Sequence, residues 1–493
     1  MSTLPLETAA HPEQLKRVAI DPLSRVEGHG KVTLLLDEDG HVQQVRLHIV
    51  EFRGFEKFIQ GRPYWEVPVM VQRLCGICPV SHHLAAAKAM DMIVGGRLTP
   101  TAEKIRRLMH YGQILQSHAL HFFHLASPDL LFGFDSEVAR RNVVALAAEH
   151  PEIARKGVLL RKYGQEVIRV TAGKRVHGTG AIPGGVNKSL TAEERSYLQE
   201  DVYRVIAWSR EAVEIARRLH ESNRALYDGF GRFASSMLSI VAPDGSLDLY
   251  DGHLRARDAD GQILVDRGDC SRYWELIFEE VKPWSYMKFP FLRALGPEAG
   301  WYKVGPLARV QNCDRINTPL AAAARRDFLE ASGGRPVHSP LASHWTRMIE
   351  MLFAAETIKD LLHDDDLLGG ELVALGERSE RGVGIIEAPR GTLIHHYRVD
   401  EHDQITRANL IVSTTHNNQA MNEAIRQVAR TYLDGRRITE PLLNHIEVAI
   451  RAFDPCLSCA THALGQMPLA VELVDAAGTV VDRRLRGNAA PPC

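Results

Sequence analysis

The period of the hydrophobic pattern changes several times along this chain. Val45, Leu47 and Ile49 alternate with polar residues, the two-residue period of a half-buried strand. Residues 31–36 and 42–50 flank Asp37-Glu38-Asp39-Gly40 as the arms of a β-hairpin. Further on the period lengthens to that of a helix. Thr99-Pro100 offers a cap followed by proline at the first helical position, and the pattern predicts a helix running to about residue 125. Thr191-Ala192-Glu193-Glu194 has the form of a capping box, opening a long helix with Leu198, Val202, Val205 and Leu219 on its apolar side. Trp345, Met348, Ile349, Leu352 and Phe353 mark another helix, and Met421, Ile425, Val428 and Leu433 a further one. Residues 242–270, rich in Gly, Asp and Arg, read as an inserted β-hairpin or loop, and β-structure returns around 391–412. The fold expected is α+β and mainly helical, with long central helices, a small N-terminal β-region and further short sheets. No internal repeat or low-complexity linker divides it.

Composition narrows the classes of function. Of 493 residues, 45% are hydrophobic and 24% charged, enough to bury a sizeable core and too apolar for a disordered chain. The 59 Lys+Arg are balanced by 61 Asp+Glu, which argues against a nucleic-acid partner. No apolar run has the length of a membrane span, and the first twenty residues hold no apolar segment of signal-peptide form. The expectation is a soluble, cytoplasmic protein.

Seven cysteines are too few and too scattered for a disulfide framework, but four of them form two Cys-x-x-Cys pairs, one near each end of the chain. The first lies in Arg73-Leu74-Cys75-Gly76-Ile77-Cys78-Pro79-Val80-Ser81-His82, the second in Asp454-Pro455-Cys456-Leu457-Ser458-Cys459-Ala460-Thr461-His462. This spacing lets two thiolates grip one metal, and two pairs supply four soft ligands suited to zinc, an iron–sulfur cluster or nickel. Spacing alone does not name the metal. A shared site must bring both ends together, which favours one interlocked unit over separable domains.

Both cysteine motifs resemble the metal-binding signatures of the nickel–iron hydrogenase large subunit. The likeness continues, in family order, through Ser24-Arg25-Val26-Glu27-Gly28-His29, Arg53-Gly54-Phe55-Glu56, Pro183-Gly184-Gly185-Val186 and Glu387-Ala388-Pro389-Arg390-Gly391. Residues 50–58 and 116–124 resemble the cytoplasmic, NAD-linked bidirectional subgroup. The resemblance implies that Cys75 and Cys456 are terminal ligands of nickel. Cys78 and Cys459 would bridge nickel to an iron that carries carbon monoxide and cyanide. Such an electron-rich thiolate centre is where dihydrogen would be split.

The same resemblance implies roles for further residues. Glu27 would carry protons away from the nickel thiolate, where a glutamate elsewhere would simply be solvated or ion-paired. Arg390, after Pro389, would point its guanidinium at the metals. Asp454 would either orient Arg390 or cap a turn before Pro455. His82 would hydrogen-bond a bridging sulfur, and Thr414 would anchor a cyanide. Ser413 stands where many members have proline, and Ser117 where many have aspartate. Glu56 and His462, with the backbone carbonyl near Leu410, would hold magnesium.

Electrons must leave this chain, because Cys270, Cys313 and Cys493 are isolated and no complete Gly-x-Gly-x-x-Gly follows a predicted strand. The resemblance implies an iron–sulfur small subunit and flavin diaphorase subunits carrying FMN, iron–sulfur clusters and the NAD site. It also implies a maturation chaperone and a C-terminal endopeptidase. Residues 463–493 would be a tail removed after His462. The alternating stretch 469–474 could instead form an ordinary edge strand. A hydrogen sensor would share the metal site but would not turn over NAD. A non-catalytic relative in a respiratory complex should lack the cysteine pairs.

Overall fold

The structure is a computed structural model that describes residues 6–461 and the strand residues 470–474 and 480–485. The N-terminal sheet is antiparallel and three-stranded, with β1 (Lys16–Ile20), β2 (Gly30–Leu36) and β3 (Val42–Ile49) side by side in that order. Val32, Leu34, Val45, Leu47 and Ile49 are all fully buried. The expected hairpin is therefore the inner and one outer strand of this sheet, and residues 16–20 are the strand that alternation did not reveal.

The predicted helices form. Helix α1 (Pro79–Ile93) is buried on nearly every side. Helix α2 (Pro100–Leu120) starts with the Thr99 hydroxyl accepting from Ala102 N–H. It then widens into a π-turn over His121–Ala126 and continues as Ser127–Phe132, so the predicted end near 125 falls inside a longer run. Helix α3 (Pro151–Ala172) packs along α2. Helix α4 (Ala192–Ser222) opens with the capping box read from the sequence: Thr191 Oγ1 accepts from Glu194 N–H, and Glu194 accepts from Thr191 N–H. Helix α5 (Ser343–Leu362) lies between α4 and α2. Its Trp345, Met348, Ile349, Leu352 and Phe353 are buried, and an apolar face this broad marks a central helix.

Two larger sheets add to the frame. Strands β4 (Ser236–Val241), β5 (His253–Arg257), β6 (Ile263–Gly268) and β7 (Tyr302–Lys303) form a four-stranded sheet in the order β7-β4-β5-β6. The expected insertion at 242–270 thus supplies two strands of a larger sheet. Strands β8 (Arg381–Ala388), β9 (Gly391–Val399) and β10 (Ile405–Ile411) form an antiparallel sheet. Only β9 and β10 fall in the predicted stretch. β8 contains Gly382-Val383-Gly384, and a Cβ at Gly384 would lie 1.9 Å from the Ala85 carbonyl oxygen of α1. These glycines serve direct contact between strand and helix, not a phosphate. Helix α6 (Asn418–Val428) clasps the N-terminal sheet, Asn422 Oδ1 accepting from Leu47 N–H at 2.9 Å, and α7 (Glu440–Ala452) leads to the second cysteine motif. Among the described residues, strands β11 (Ala470–Val474) and β12 (Val480–Leu485) pair only with each other and extend none of the other sheets. Among the described residues no helix is long and apolar enough to cross a membrane.

Candidate metal centre

The first cysteine loop is shaped by its own backbone. A 3-10 turn over Val71–Leu74 delivers Cys75, whose sulfur accepts from the N–H groups of Ile77 and Cys78 at 3.1 and 3.2 Å. Pro79 then starts α1, so Cys78 stands at a helix N-terminus, where unsatisfied N–H groups favour negative charge. The second loop follows α7 and is seated on the start of the chain. Glu27 and Cys456 form a parallel bridge, and Leu457 N–H donates to the Glu27 carbonyl at 2.8 Å. Gly28 has φ +85°, and a Cβ there would lie 2.6 Å from Ser458 N, so a side chain at this position would unseat the loop.

The four sulfurs converge across 381 residues of sequence. Cys75 Sγ lies 3.3 Å from both Cys456 Sγ and Cys78 Sγ. Cys456 Sγ lies 2.8 Å from Cys459 Sγ, which is 3.9 Å from Cys78 Sγ. All four are buried and lie within 4.8 Å of one another, and no second such cluster of His, Cys, Asp or Glu occurs among the described residues. Burial pushes the Cys456 and Cys459 thiols up. Hydrogen bonds from Cys456, Cys459 and Cys75, with a smaller one from His82, pull the Cys78 thiol well below its ordinary range. Four sulfurs this close can all become thiolates only around a cation, so the donor set fits a soft metal centre.

The surroundings are equally specific. The Cys456 thiol donates to Glu27 Oε2 at 2.9 Å, and the carboxylate also accepts from the N–H and hydroxyl of Ser458. Pro389 and Arg390 form the two-residue turn between β8 and β9. Arg390 donates through Nε to the Asp454 carbonyl and through Nη2 to Asp454 Oδ1 at 3.0 Å. Asp454 thus contacts Arg390 through both its backbone and its side chain. Although burial opposes it, Asp454 and then the cysteine sulfurs hold the Arg390 guanidinium well above its ordinary value. Its Nη1 has no hydrogen-bond partner, and Arg390 lines a cavity together with Cys78, His82, Pro389, Thr414, Cys456 and Cys459. An orphaned cationic N–H beside this cavity fits anionic ligands on a bound metal. Thr414 Oγ1 accepts from Cys456 N–H at 3.0 Å, and Ser413 Oγ donates to the Gly391 carbonyl at 2.7 Å, fixing the backbone where proline is common. Ser117 is buried with an unpartnered hydroxyl and brings no charge.

Glu56 sits on the short helix Phe55–Phe58 and accepts from Leu410 N–H at 2.8 Å. Burial pushes its carboxyl up to about 7. It lines a cavity of about 760 Å³ together with Glu279, Lys288 and Tyr397. His462 lies outside the described residues, but the Thr461 carbonyl accepts from the N–H groups of Arg53 and Gly54, tying that end of the described chain beside Glu56.

The motifs did not disclose what supports the Arg390 turn. Arg309 donates to Glu350 through Nε at 2.7 Å and Nη2 at 2.6 Å, and to Glu387 Oε2 through Nη1 at 3.0 Å. It also donates to the carbonyls of Ala388 and Pro389. Glu350 is shared with His118 Nε2 at 3.1 Å. All of these side chains are fully buried. The available signal was a lone arginine in the apolar run Pro306-Leu307-Ala308-Arg309-Val310. Arg309→Met should destabilise the chain by about 3–5 kcal/mol, because two buried carboxylates lose their cation. Denaturant unfolding of the variant checks this, and an unchanged midpoint would contradict it.

Comparison with known proteins agrees with this geometry. A family model for nickel-dependent hydrogenases matches residues 53–138 and 265–462, and a HoxL-like model matches residues 17–52. The beta subunit of the NAD-reducing hydrogenase HoxS of Cupriavidus necator is 48% identical over 487 residues, covering 96% of this chain and 100% of that protein. One of the subunits of the F420-non-reducing hydrogenase of Methanothermobacter thermautotrophicus is 41% identical, covering 95% of this chain and 99% of the other. The crystal structure of an NAD+-reducing [NiFe]-hydrogenase in the H2-reduced state superposes with a TM-score of 0.89 at 61% identity, covering 91% of this chain and 99% of that one. The Ni-Fe-Se hydrogenase of D. vulgaris Hildenborough, at 23% identity and a TM-score of 0.73, shares the fold over 91% of this chain and 100% of its own. With most of its length matched in sequence and in fold, the chain belongs to the nickel-dependent hydrogenase family.

Proposed function

We propose that this chain is the catalytic subunit that reversibly splits dihydrogen at a nickel–iron centre and passes the electrons, through a partner iron–sulfur subunit, ultimately to NAD. The observation that carries the reading is the convergence of four buried sulfurs from both ends of the chain, with Glu27 at hydrogen-bond distance from one of them. Cys75, Cys78, Cys456 and Cys459 would together hold the nickel and an iron that carries carbon monoxide and cyanide. When bound, this centre supplies the polarizable, electron-rich site at which dihydrogen is cleaved.

The side chains do the rest. Glu27 Oε2 takes the proton from the Cys456 sulfur, and Ser458 holds the carboxylate in place. Arg390, oriented by Asp454, sets a permanent positive charge beside the thiolates, while Thr414, Pro389 and His82 surround the ligand cavity. Glu56, the Leu410 carbonyl and His462 would hold magnesium, which favours oxygen ligands.

Arg390→Lys keeps the charge but cannot reproduce the fork that grips both the carbonyl and carboxylate of Asp454. Hydrogen uptake should fall by about a hundredfold, the order of loss seen when one preorganised donor is removed. Near-normal uptake would show that charge alone suffices.

The reading places the chain in a soluble, cytoplasmic complex with an iron–sulfur small subunit and flavin diaphorase subunits carrying FMN, iron–sulfur clusters and the NAD site, and the match to one subunit of an NAD-reducing hydrogenase supports a multi-subunit assembly. A maturation chaperone and a C-terminal endopeptidase would act before assembly. The family match ends at residue 462, and the β11–β12 hairpin extends no other sheet, which supports a single unit over 1–462 and a removable tail over 463–493. Intact-mass measurement on active enzyme should find a chain ending at His462; an active chain ending at Cys493 would make the tail part of the working fold.

The deciding experiment is metal analysis and infrared spectroscopy of the purified complex, paired with turnover. Nickel, iron, bands for carbon monoxide and cyanide, and hydrogen-dependent NAD reduction are expected. The metal-loaded chain by itself should not reduce NAD, and absence of nickel from an active complex would end the proposal.

A further inference from the structure

Just ahead of Glu27 the backbone is held in a shape that a side chain seldom takes. Arg25 has φ +53°, in the left-handed region, and such strain persists only where the surroundings impose it. Its guanidinium donates through Nη1 to the Leu125 carbonyl at 2.8 Å and through Nη2 to Asp129 Oδ1 at 2.6 Å. Leu125 lies in the π-turn and Asp129 four residues later on Ser127–Phe132, so both acceptors come from one stretch of the helical run. The other oxygen, Asp129 Oδ2, accepts from Arg451 Nη1 at 2.7 Å. Arg451, on α7, also grips Ser24, donating through Nε to its carbonyl and through Nη2 to its hydroxyl, both at 3.1 Å. Although burial opposes it, Arg451 and then Arg25 hold the Asp129 carboxyl below its ordinary range.

These contacts close a circuit. Through Arg25 the Asp129 carboxylate holds the segment that carries Glu27, and through Arg451 it holds the helix that leads into the second cysteine loop. Arg25 stands two residues before Glu27, and Arg451 five before Cys456. On the far side of the circuit Glu27 Oε2 meets the Cys456 thiol at 2.9 Å. Each oxygen of one buried carboxylate therefore carries one arm, and the two arms end on the two members of the proton-transferring pair. The reach of the Glu27 carboxylate depends on where its backbone stands, and the backbone turn at Arg25 sets that direction.

We propose that Arg25 is a positioning residue for proton transfer: anchored by Asp129 and the Leu125 carbonyl, it fixes the backbone ahead of Glu27 so that the carboxylate meets the Cys456 sulfur. This rests on the role given to Glu27 above. The Arg25 side chain is committed to Leu125 and Asp129 and not to the cysteines, so its influence on the metal centre passes through Glu27.

The test is a double-mutant cycle on the whole complex, with nickel content and infrared bands measured beside hydrogen–deuterium exchange. Arg25 is the least buried of the three charged groups, its side chain 17% exposed, so Arg25→Met removes one arm while Asp129 keeps Arg451. Nickel and the carbon monoxide and cyanide bands should be unchanged. Exchange per nickel should fall by at least about tenfold, since a misplaced proton donor and acceptor lose rate steeply. In a Glu27→Gln background the same change should cost less than about twofold, because the group it positions is already gone. Full exchange per nickel in Arg25→Met, or the same loss repeated in the Glu27→Gln background, would overturn the proposal. Should Arg25→Met lose its metals, Arg25→Lys decides, since one ammonium keeps the charge beside Asp129 but cannot also meet Leu125 as the fork does. Lower exchange per nickel is expected there too, and only while Glu27 is present; unchanged exchange, or loss of nickel again, would overturn the proposal. Unchanged exchange in Glu27→Gln alone would end the role of Glu27 and this inference with it, whereas a normal Glu27→Gln loss on which the Arg25 effect simply multiplies ends the inference alone.

Discussion

Cys459→Ser should abolish hydrogen turnover and strip the chain of its nickel. The Cys459 sulfur is fully buried, 2.8 Å from Cys456 and 3.9 Å from Cys78, so no water or neighbouring side chain can take its place. A serine hydroxyl is smaller, harder and protonated at any working pH, whereas nickel prefers soft, anionic sulfur. The loss should exceed about a thousandfold, because the centre fails to assemble rather than working slowly. The same reasoning holds for Cys75, Cys78 and Cys456. Metal analysis and hydrogen uptake on the purified complex check it; full nickel with normal turnover would sink the assignment.

Glu27→Gln should separate assembly from chemistry. The carboxylate has two jobs in the structure: it accepts from the Cys456 thiol and clasps Ser458. The clasp survives the change, because an amide oxygen still accepts from Ser458 and the Glu27 backbone carbonyl independently holds Leu457. The base does not survive. Nickel content should stay at the unaltered level while hydrogen–deuterium exchange falls by about 10²–10⁴, the usual contribution of a positioned acid–base group. Unchanged exchange would leave Glu27 as part of the seat for the second loop and nothing more.

What could be read from the sequence was local. The cysteine pairs, the Thr191 capping box and the Thr99 cap each obey a rule that spans four residues, and each stands in the structure as read. Strand β8 was invisible because it is buried on both faces and carries glycine where α1 lies against it, so no alternation marks it. The Arg309–Glu350 pair spans 41 residues and the His82–His395 contact 313, and neither leaves a trace in local periodicity. The π-turn at His121–Ala126 adds a residue to the helical repeat without changing its composition. Polar contacts inside a helical core are thus the part of the site that only the folded chain reveals.

The seating of the second cysteine loop on Glu27 and Gly28 has a consequence measured in time. The last-made wall of the centre docks on one of the first segments to leave the ribosome, and 381 residues separate Cys75 from Cys456. At roughly 5–20 residues per second, about 20–80 s pass between synthesis of the first pair and the second. Until the second pair is made, the side of the socket that Cys456 and Cys459 close has no wall. The order of synthesis therefore leaves an interval in which the metal site is accessible from that side, and docking of the second loop shuts it.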